Sequence, residues 1–330
     1  MKKAISLLIF LFLSIPTFNG IHIENSVFEK HVSIQNFVDR DGAHFKYYEN
    51  DSHIRNWYEW WYFNVKGSNK ALLLYFFTFG DLNNKILSSV GVFAAFFDED
   101  KSIESITSYP LINYSLDYEK CNVTIAGNFA REHENGYTLY YNSPNLEIHA
   151  EIHNHAMPFG GKPTMLDEWQ WMAWYVAVPY GNASVEVVSR QKQCKFYGIA
   201  YHDHNWGMAK PAQLKWDWGE FYGEEYAIIY GMALGKGGIY FVNESFVKEY
   251  NISISYEKWR FINGFLKPVL IHIYSNDGKI DLYVEMKKYY VIGAKNIGKP
   301  YLLGHMHGKF YHRNITAIGF YEHHGLQFKI

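Results

Sequence analysis

Seven consecutive residues, Tyr201 to Gly207, carry five side chains that can donate, accept or transfer a proton. These side chains are Tyr201, His202, Asp203, His204 and Asn205. A buried strand tolerates such residues poorly, because each unsatisfied buried polar group costs about 1–3 kcal/mol. The segment therefore predicts one of two things: a structural corner whose polar groups are all satisfied, or the lining of a site.

The alternation of side chains along an extended segment divides these residues between two faces. Tyr201, Asp203 and Asn205 share one face, and the opposite face carries His202, His204 and Trp206. Asp203 is then the natural proton donor or acceptor, and Tyr201 and Asn205 are placed to orient it. The structural alternative is that Asp203 accepts backbone N–H groups at a turn while Trp206 fills the end of a barrel.

A second carboxylate stands among aromatic residues at Glu59 to Phe63. On a strand, Glu59, Trp61 and Phe63 point to one side, and Trp60 and Tyr62 point to the other. Burial in an apolar lumen would raise the pKa of Glu59. The structural alternative is that Glu59 caps a loop or pairs with an arginine such as Arg55.

Tryptophans recur in two further segments, Trp169 to Trp174 and Trp216 to Glu220. Desolvated indole faces stabilise a neighbouring cation by about 1–2 kcal/mol each. Together with the carboxylates, these segments suit chemistry that passes through a positively charged intermediate.

Sixteen histidines and three His-x-His pairs, at 153/155, 202/204 and 305/307, raise a metalloenzyme as an alternative. On a strand, both members of such a pair point to one side, as in zinc sites. Polar histidines on an outer barrel face are the stronger explanation of the pattern. We therefore predict no metal and no cofactor.

The composition favours an all-β protein. Aromatic residues make up 19% of the 330 residues, and tyrosine and phenylalanine favour strands. Lys+Arg is 31 and Asp+Glu is 33, without a basic stripe, so we expect no nucleic-acid partner.

The N-terminus resembles a secretory leader. Lys2 and Lys3 precede an apolar run from Ala4 to Ile15, which is shorter than the roughly 20 residues of a membrane span. The cleavage site is poor, which keeps an uncleaved anchor open. We expect an extracytoplasmic protein.

Potential glycosylation sites are frequent, where the composition would give about two by chance. The Asn-Xaa-Ser/Thr sequons lie at Asn50, Asn113, Asn122, Asn182, Asn243, Asn251 and Asn314. This supports export. The two cysteines, Cys121 and Cys194, are either a disulfide or two free thiols.

Short aromatic and β-branched runs separated by turn signals predict many strands and little helix. Asn135-Gly136, Asn263-Gly264 and Asp277-Gly278 are strong hairpin signals. A polar segment with Pro211, residues 208–215, predicts a domain boundary. We expect a leader or anchor at residues 1–20 and two antiparallel β-barrels, at residues 21–210 and 211–330.

Several of these motifs together resemble the carotenoid 1,2-hydratase (hydroxyneurosporene synthase, CrtC) and AttH-like family. The matching segments are Asp41-Gly42-Ala43-His44, Glu59 to Phe63, Trp171 to Pro179, Tyr201 to Gly207, Trp216 to Gly219 and Gly319-Phe320-Tyr321-Glu322. The resemblance runs from about residue 39 to about residue 325. It implies two tandem lipocalin-like barrels with an apolar ligand site at or near their junction.

The resemblance also implies a chemistry: cofactor-free hydration of an alkene, or the shaping of a polyene for cyclisation. Asp203 would be the acid, tuned by Tyr201, His202 and His204. The residues expected to contact the ligand are Glu59, Trp60, Trp61, Tyr62, Trp174, Asn205, Trp206, Trp216 and Trp218. The expected partner is a hydrophobic isoprenoid, polyene or lipid, with membrane-surface association and oligomeric state left open. The alternative function is a non-catalytic extracytoplasmic lipid carrier.

Overall fold

The structure is a computed structural model that describes residues 41–99, 101–109, 113–189, 192–210, 214–233, 235–292 and 299–324. The leader or anchor predicted at residues 1–20 lies outside the described residues, as do residues 211–213 of the predicted domain boundary. In the described part, no helix combines the length and the apolar character that crossing a membrane requires.

Strands dominate the described residues. A short helix, α1, spans Phe45–Tyr48, and a 3₁₀ turn spans Ile54–Asn56. The first set of strands is β1 (Trp57–Lys66), β2 (Lys70–Gly80), β3 (Ser88–Asp98), β4 (Lys101–Tyr109), β5 (Tyr114–Leu116), β6 (Asn122–Ile125), β7 (Asn128–His133), β8 (Gly136–Ser143), β9 (Leu146–Asn154), β10 (Phe159–Met165), β11 (Trp171–Ser189) and β12 (Gln193–Met208). The second set is β13 (Trp216–Tyr222), β14 (Ala227–Ala233), β15 (Lys236–Val242), β16 (Val247–Tyr250), β17 (Ser253–Ile262), β18 (Phe265–Tyr274), β19 (Ile280–Ile292), β20 (Lys299–Phe310) and β21 (Arg313–His324).

The strands form two antiparallel sheets, each of which curls into a half-barrel. In the described residues, the first sheet has the order β4-β3-β2-β1-β12-β11-β9-β8-β7-β6-β5, with β10 on β11. The second has the order β16-β15-β14-β13-β21-β20-β19-β18-β17. The predicted all-β fold of two tandem lipocalin-like barrels is confirmed.

Each sheet joins its first strand to its last. β1 pairs with β12 from Trp57–Met208 to Lys66–Ile199, and β13 pairs with β21 from Trp216–His324 to Tyr222–Ile318. We call these two pairs the closing strands. They carry four of the six segments that resemble the family, the exceptions being Asp41–His44 and Trp171–Pro179.

The burial pattern explains why the closing strands are so apolar. An outer strand such as β9 alternates buried and exposed positions, because only one face meets a core. β1 is buried or half-buried at all its positions. Its Trp61 and Phe63 pack inside the first barrel, whereas Tyr62 packs in a separate aromatic core shared with the second sheet. A strand covered on both faces needs apolar side chains at successive positions.

The second sheet repeats this arrangement. Phe221 of β13 packs inside the second barrel, and its neighbour Tyr222 faces the shared core. The two barrels therefore have separate interiors and dock through their closing strands.

Two local expectations need correction. The Tyr201–Gly207 segment is not a corner, because it continues the regular strand β12. The Asn135-Gly136 signal does mark a hairpin, but Gly136 already pairs with His133, so the turn residues are Glu134 and Asn135. The Asn263-Gly264 hairpin forms as predicted, with φ of 51° and 83°.

Candidate active site

A cavity of about 1020 Å³ lies between the two sheets. Aromatic side chains from both sheets form a large part of its walls: Trp60, Tyr62, Tyr75, Phe77, Phe79, Phe93, Phe159, Trp174, Trp216, Trp218, Tyr240 and Tyr301. Asp203 and Asn205 reach it from β12. The cavity has the size and apolar character of a site for a small hydrophobic molecule.

Asp203 is a buried polar group of the cavity that hydrogen bonds hold in place. It is 4% exposed, and both its oxygens accept hydrogen bonds from protein groups. Tyr201 Oη and Trp174 Nε1 donate to Oδ2 at 2.9 and 3.0 Å. Asn205 Nδ2 donates to Oδ1 at 2.8 Å. These donors fix the carboxyl group in one orientation before any ligand binds.

Burial raises the pKa of Asp203 to about 6, although the hydrogen bonds from Trp174 and Tyr201 oppose this rise. The carboxyl group therefore changes its protonation state near neutral pH. Oδ2 already has two donors, whereas Oδ1 has one, so Oδ1 is the natural position for the proton. General acids work best when their pKa lies close to the working pH.

The opposite face of β12 points into the first barrel, as the alternation predicts. His202 Nδ1 donates to the backbone oxygen of Tyr62 at 2.9 Å, and its Nε2 lies 2.7 Å from Asp41 Oδ2. The ring also stacks on Phe63 with centroids 3.7 Å apart. His202 thus belongs to a buried polar network in the barrel interior rather than to the cavity.

Glu59 stands at the centre of the same network. Its Oε1 accepts hydrogen bonds from the backbone N–H of His44 at 2.7 Å and from His204 Nε2 at 3.1 Å. Burial alone would raise the pKa of Glu59, but the hydrogen bonds from His204 and His44 hold it below its usual value. The expectation of a raised pKa is therefore wrong, because the barrel interior at Glu59 is not apolar.

His204 is held between two carboxylates. Its Nδ1 lies 3.2 Å from Asp41 Oδ1, at an angle unsuited to a hydrogen bond, and its Nε2 faces Glu59. Burial opposes protonation, but the two carboxylates raise the pKa of His204 above its usual value. Trp206 stacks on His44, with centroids 3.7 Å apart. We call Asp41, His44, Glu59, His202 and His204 the barrel network.

Two groups in the described residues have donor atoms close enough to hold a metal ion, Asp41/Cys121/His202 and His44/Glu59/His204. Their oxygens and ring nitrogens mostly pair with one another already. The other two His-x-His pairs lie at the exposed or half-exposed positions 153/155 and 305/307. Cys121 and Cys194 are both free thiols.

The structure separates the predicted site residues into two groups. The residues that line the cavity are Trp60, Tyr62, Trp174, Asp203, Asn205, Trp216 and Trp218. Tyr201 does not line the cavity itself but donates a hydrogen bond to Asp203. The residues that instead face the first barrel are Glu59, Trp61, His202, His204 and Trp206. Alternation along β1 and β12 accounts for this division.

Several polar contacts at the junction were not predicted. Tyr62 and Tyr301 are joined by a hydrogen bond between their hydroxyl groups, across the two sheets. Lys66 Nζ lies 2.7 Å from Glu220 Oε1, and Asn64 Nδ2 donates to the same oxygen at 3.2 Å. Nothing in the sequence pairs these residues, because they meet only when the sheets dock.

Solved structures show where this fold occurs. The chain is similar to an AttH-type structure from Nitrosomonas europaea, with a TM-score of 0.62 and 12% identity over 94% of this chain and 100% of that one. It is similar to kievitone hydratase from Nectria haematococca, with a TM-score of 0.54 and 10% identity over 80% of this chain and 87% of that one. It is also similar to CghA, with a TM-score of 0.56 and 10% identity over 82% of this chain and 89% of that one. At these identities the likeness establishes the fold.

No family model matches the sequence. No curated protein matches it by sequence either.

Proposed function

We propose that this protein is a cofactor-free enzyme of the hydratase or cyclase kind that acts on an apolar alkene, such as an isoprenoid or a polyene. One observation carries the proposal: Asp203 presents a carboxyl group with a pKa of about 6 to an aromatic cavity, oriented by three donors. The name of kievitone hydratase, a structure of the same fold, agrees with this kind of reaction.

The chemistry requires an acid, a wall that tolerates positive charge and a water molecule. Protonated Asp203 donates its proton to one alkene carbon, and the neighbouring carbon becomes a cation. Indole and phenol faces such as Trp60, Trp174 and Trp216 stabilise that cation. In hydration, water adds to the cation and returns one proton to Asp203, so the net change is the addition of one water molecule. In cyclisation, a second alkene of the same molecule attacks the cation instead, and the ring cation that results loses a proton to Asp203, so the product is an isomer of the substrate.

We also propose that the protein works outside the cytoplasm. The basic and apolar N-terminal segment supports this, and so do the sequon positions. Among the seven sequon asparagines, Asn122 and Asn243 are half-buried and the other five are exposed. An oligosaccharide transferase reaches such positions without disturbing a core.

The deciding experiment compares the small molecules held by wild-type protein and by Asp203→Asn after expression in one host and native purification. Mass spectrometry of the organic extracts should show substrate in the variant. Wild type should hold either a product heavier by one water molecule, for hydration, or an isomer of equal mass, for cyclisation. Glu249→Gln, which changes an exposed carboxylate at the same cavity, is the matched control and should resemble wild type.

Two outcomes would contradict the proposal. The same unchanged lipid in wild type and Asp203→Asn would establish a carrier instead of an enzyme. Product in the Asp203→Asn extract would remove the acid role from this residue.

A further inference from the structure

A buried cation lies in the wall that the second sheet contributes to the cavity. Lys299, at the start of β20, is 6% exposed and lines the cavity. Its Nζ forms an ion pair with Glu322 Oε1 of the neighbouring strand β21. Glu322 also lines the cavity, and its Oε2 accepts a hydrogen bond from Trp216 Nε1 at 3.2 Å.

The hydrogen bonds of Lys299 are incomplete. An ammonium group has three N–H donors. Among the described residues, Glu322 is its one hydrogen-bond acceptor, so the ammonium group has two further N–H groups with which to bind a molecule in the cavity. Unmet hydrogen bonds of a buried charge are costly, and a bound molecule that supplies an acceptor removes this cost.

The neighbouring carboxylates already have hydrogen-bond partners, so they do not accept the remaining hydrogen bonds of Lys299. Asp217 accepts a hydrogen bond from Tyr256 Oη and lies 2.6 Å from His323 Nδ1. Burial raises the pKa of Glu322, but the charge of Lys299 more than reverses this and lowers it to about 2, so Glu322 is ionised and committed to its ion pair.

A second buried lysine increases the demand for acceptors. Lys267 Nζ donates to the backbone oxygen of His323 at 2.9 Å. Burial, followed by the charge of Lys299, lowers the pKa of Lys267 to about 7. The second sheet thus places the ammonium group of Lys299 in its wall of the cavity, whereas Asp203 belongs to the wall of the first sheet.

We propose that Lys299 binds an acceptor oxygen, carbonyl or carboxylate, at one end of the ligand. The substrate class is then an oxygenated polyene or isoprenoid rather than a pure hydrocarbon. This inference rests on the proposed function, since it assumes that the cavity holds an apolar molecule. The ligand is anchored by its oxygenated end on the second sheet while its alkene lies against the first.

Three fluorescent probes of one shape test the proposal: diphenylhexatriene, its propionic acid and the methyl ester of that acid. Wild-type protein should bind both oxygenated probes at least about tenfold more tightly than diphenylhexatriene, as expected for a hydrogen bond to a charged donor. A further preference for the acid over the ester would identify the natural oxygen as a carboxylate, and none would identify a carbonyl.

Variants test whether Lys299 is responsible for the preference for the oxygenated probes. Lys299→Met should abolish it, and so should Lys299→Met combined with Glu322→Gln, which leaves no unpaired buried charge if the single variant folds poorly. Lys236→Met is the matched control, because Lys236 is an exposed lysine at the same cavity, and it should keep the preference.

The outcomes separate the two proposals. Equal binding of all three probes by wild type, or a preference that persists in the double variant, would overturn the role of Lys299 and leave the proposed function standing. Failure of wild type to bind any probe would overturn both.

Discussion

The indole N–H of Trp218, on the second sheet, donates to the hydroxyl oxygen of Tyr201, on the first, at 3.1 Å. This bond occupies an oxygen lone pair of Tyr201 and leaves its own hydrogen to point at Asp203, 2.9 Å away. The surroundings of the carboxyl group are therefore complete only when the two barrels are docked.

Removing the tyrosine donor should raise the pKa of Asp203 above its value of about 6, because hydrogen bonds from Tyr201 favour the ionised form. Tyr201→Phe should show the larger rise and Trp218→Phe a smaller one. Carbon-13 NMR of labelled aspartate carboxyl groups measures the titration. Tyr75→Phe, which changes another tyrosine of the cavity wall, should leave it nearly unchanged. An unaltered titration in Tyr201→Phe would show that the hydroxyl does not orient the acid.

The raised pKa of Asp203 should cost stability at neutral pH. Folding raises it from 3.8 to about 6, so the folded state binds the proton more tightly than the unfolded state. The stabilisation that the folded state gains from the protonated carboxyl group is fully present below pH 3.8 and is lost as the pH rises through 6. Asp203→Asn should therefore stabilise the protein by at most about 3 kcal/mol at pH 8, and by much less at pH 4.5. Urea unfolding at both pH values measures the difference, and a pH-independent effect would contradict it.

The barrel network should be a major source of stability in the first barrel. Asp41→Asn removes the carboxylate that faces His202 and one of the two carboxylates that face His204, and breaking one side of a buried pair costs about 3–5 kcal/mol. Asp51→Asn, an exposed aspartate that pairs with His53, should change the free energy of unfolding by less than about 1 kcal/mol. Denaturant unfolding compares the two. Similar small effects would mean that the network contributes little.

The Lys66–Glu220 ion pair should couple the two barrels. Both side chains are buried, so Lys66→Met or Glu220→Gln alone leaves the other residue without its ion-pair partner. The double variant leaves neither residue unpaired. The double variant should therefore lose less stability than the sum of the single losses, by about 1–3 kcal/mol. A double-mutant cycle in urea gives this coupling energy. Additive losses would show that the pair is not a unit.

Export should lead to N-glycosylation of the protein. Full-length protein expressed through a eukaryotic secretory pathway should gain mass at several sequons, and an N-glycosidase should remove it. The exposed Asn50 and Asn314 are the first positions to check by peptide mapping. Secreted protein that carries no glycan at any sequon would contradict the proposed modification, and protein that is retained in the cytoplasm would contradict the proposed location.

Local patterns were sufficient for much of the fold. Turn dipeptides and aromatic runs predict strands, and alternation places Asp203 and His202 on opposite faces, as observed. Alternation alone does not say which face meets a barrel interior and which meets the other barrel. The sequence therefore assigned Glu59, Trp61 and Trp206 to the ligand, although they belong to the first barrel.

Contacts between distant segments escaped prediction for a different reason. Asp41 and His202 are 161 positions apart, and Tyr62 and Tyr301 are 239 apart. No spacing rule connects such residues, and only the folded sheets bring them together. Glu322 was noted for its motif, but its partner Lys299 lies in a segment without a recognisable signal.

The placement of the cavity between two separately packed barrels affects how such a protein adapts. Each barrel keeps its own apolar interior, so a small rotation of one against the other would resize the cavity without disturbing either interior. Ligands of a different size would then be accommodated by a change in the contact between the barrels, with the interior of each barrel unchanged. The range of ligands that fit would then depend on the side chains that hold the two barrels together, which are the shared aromatic core together with Lys66 and Glu220.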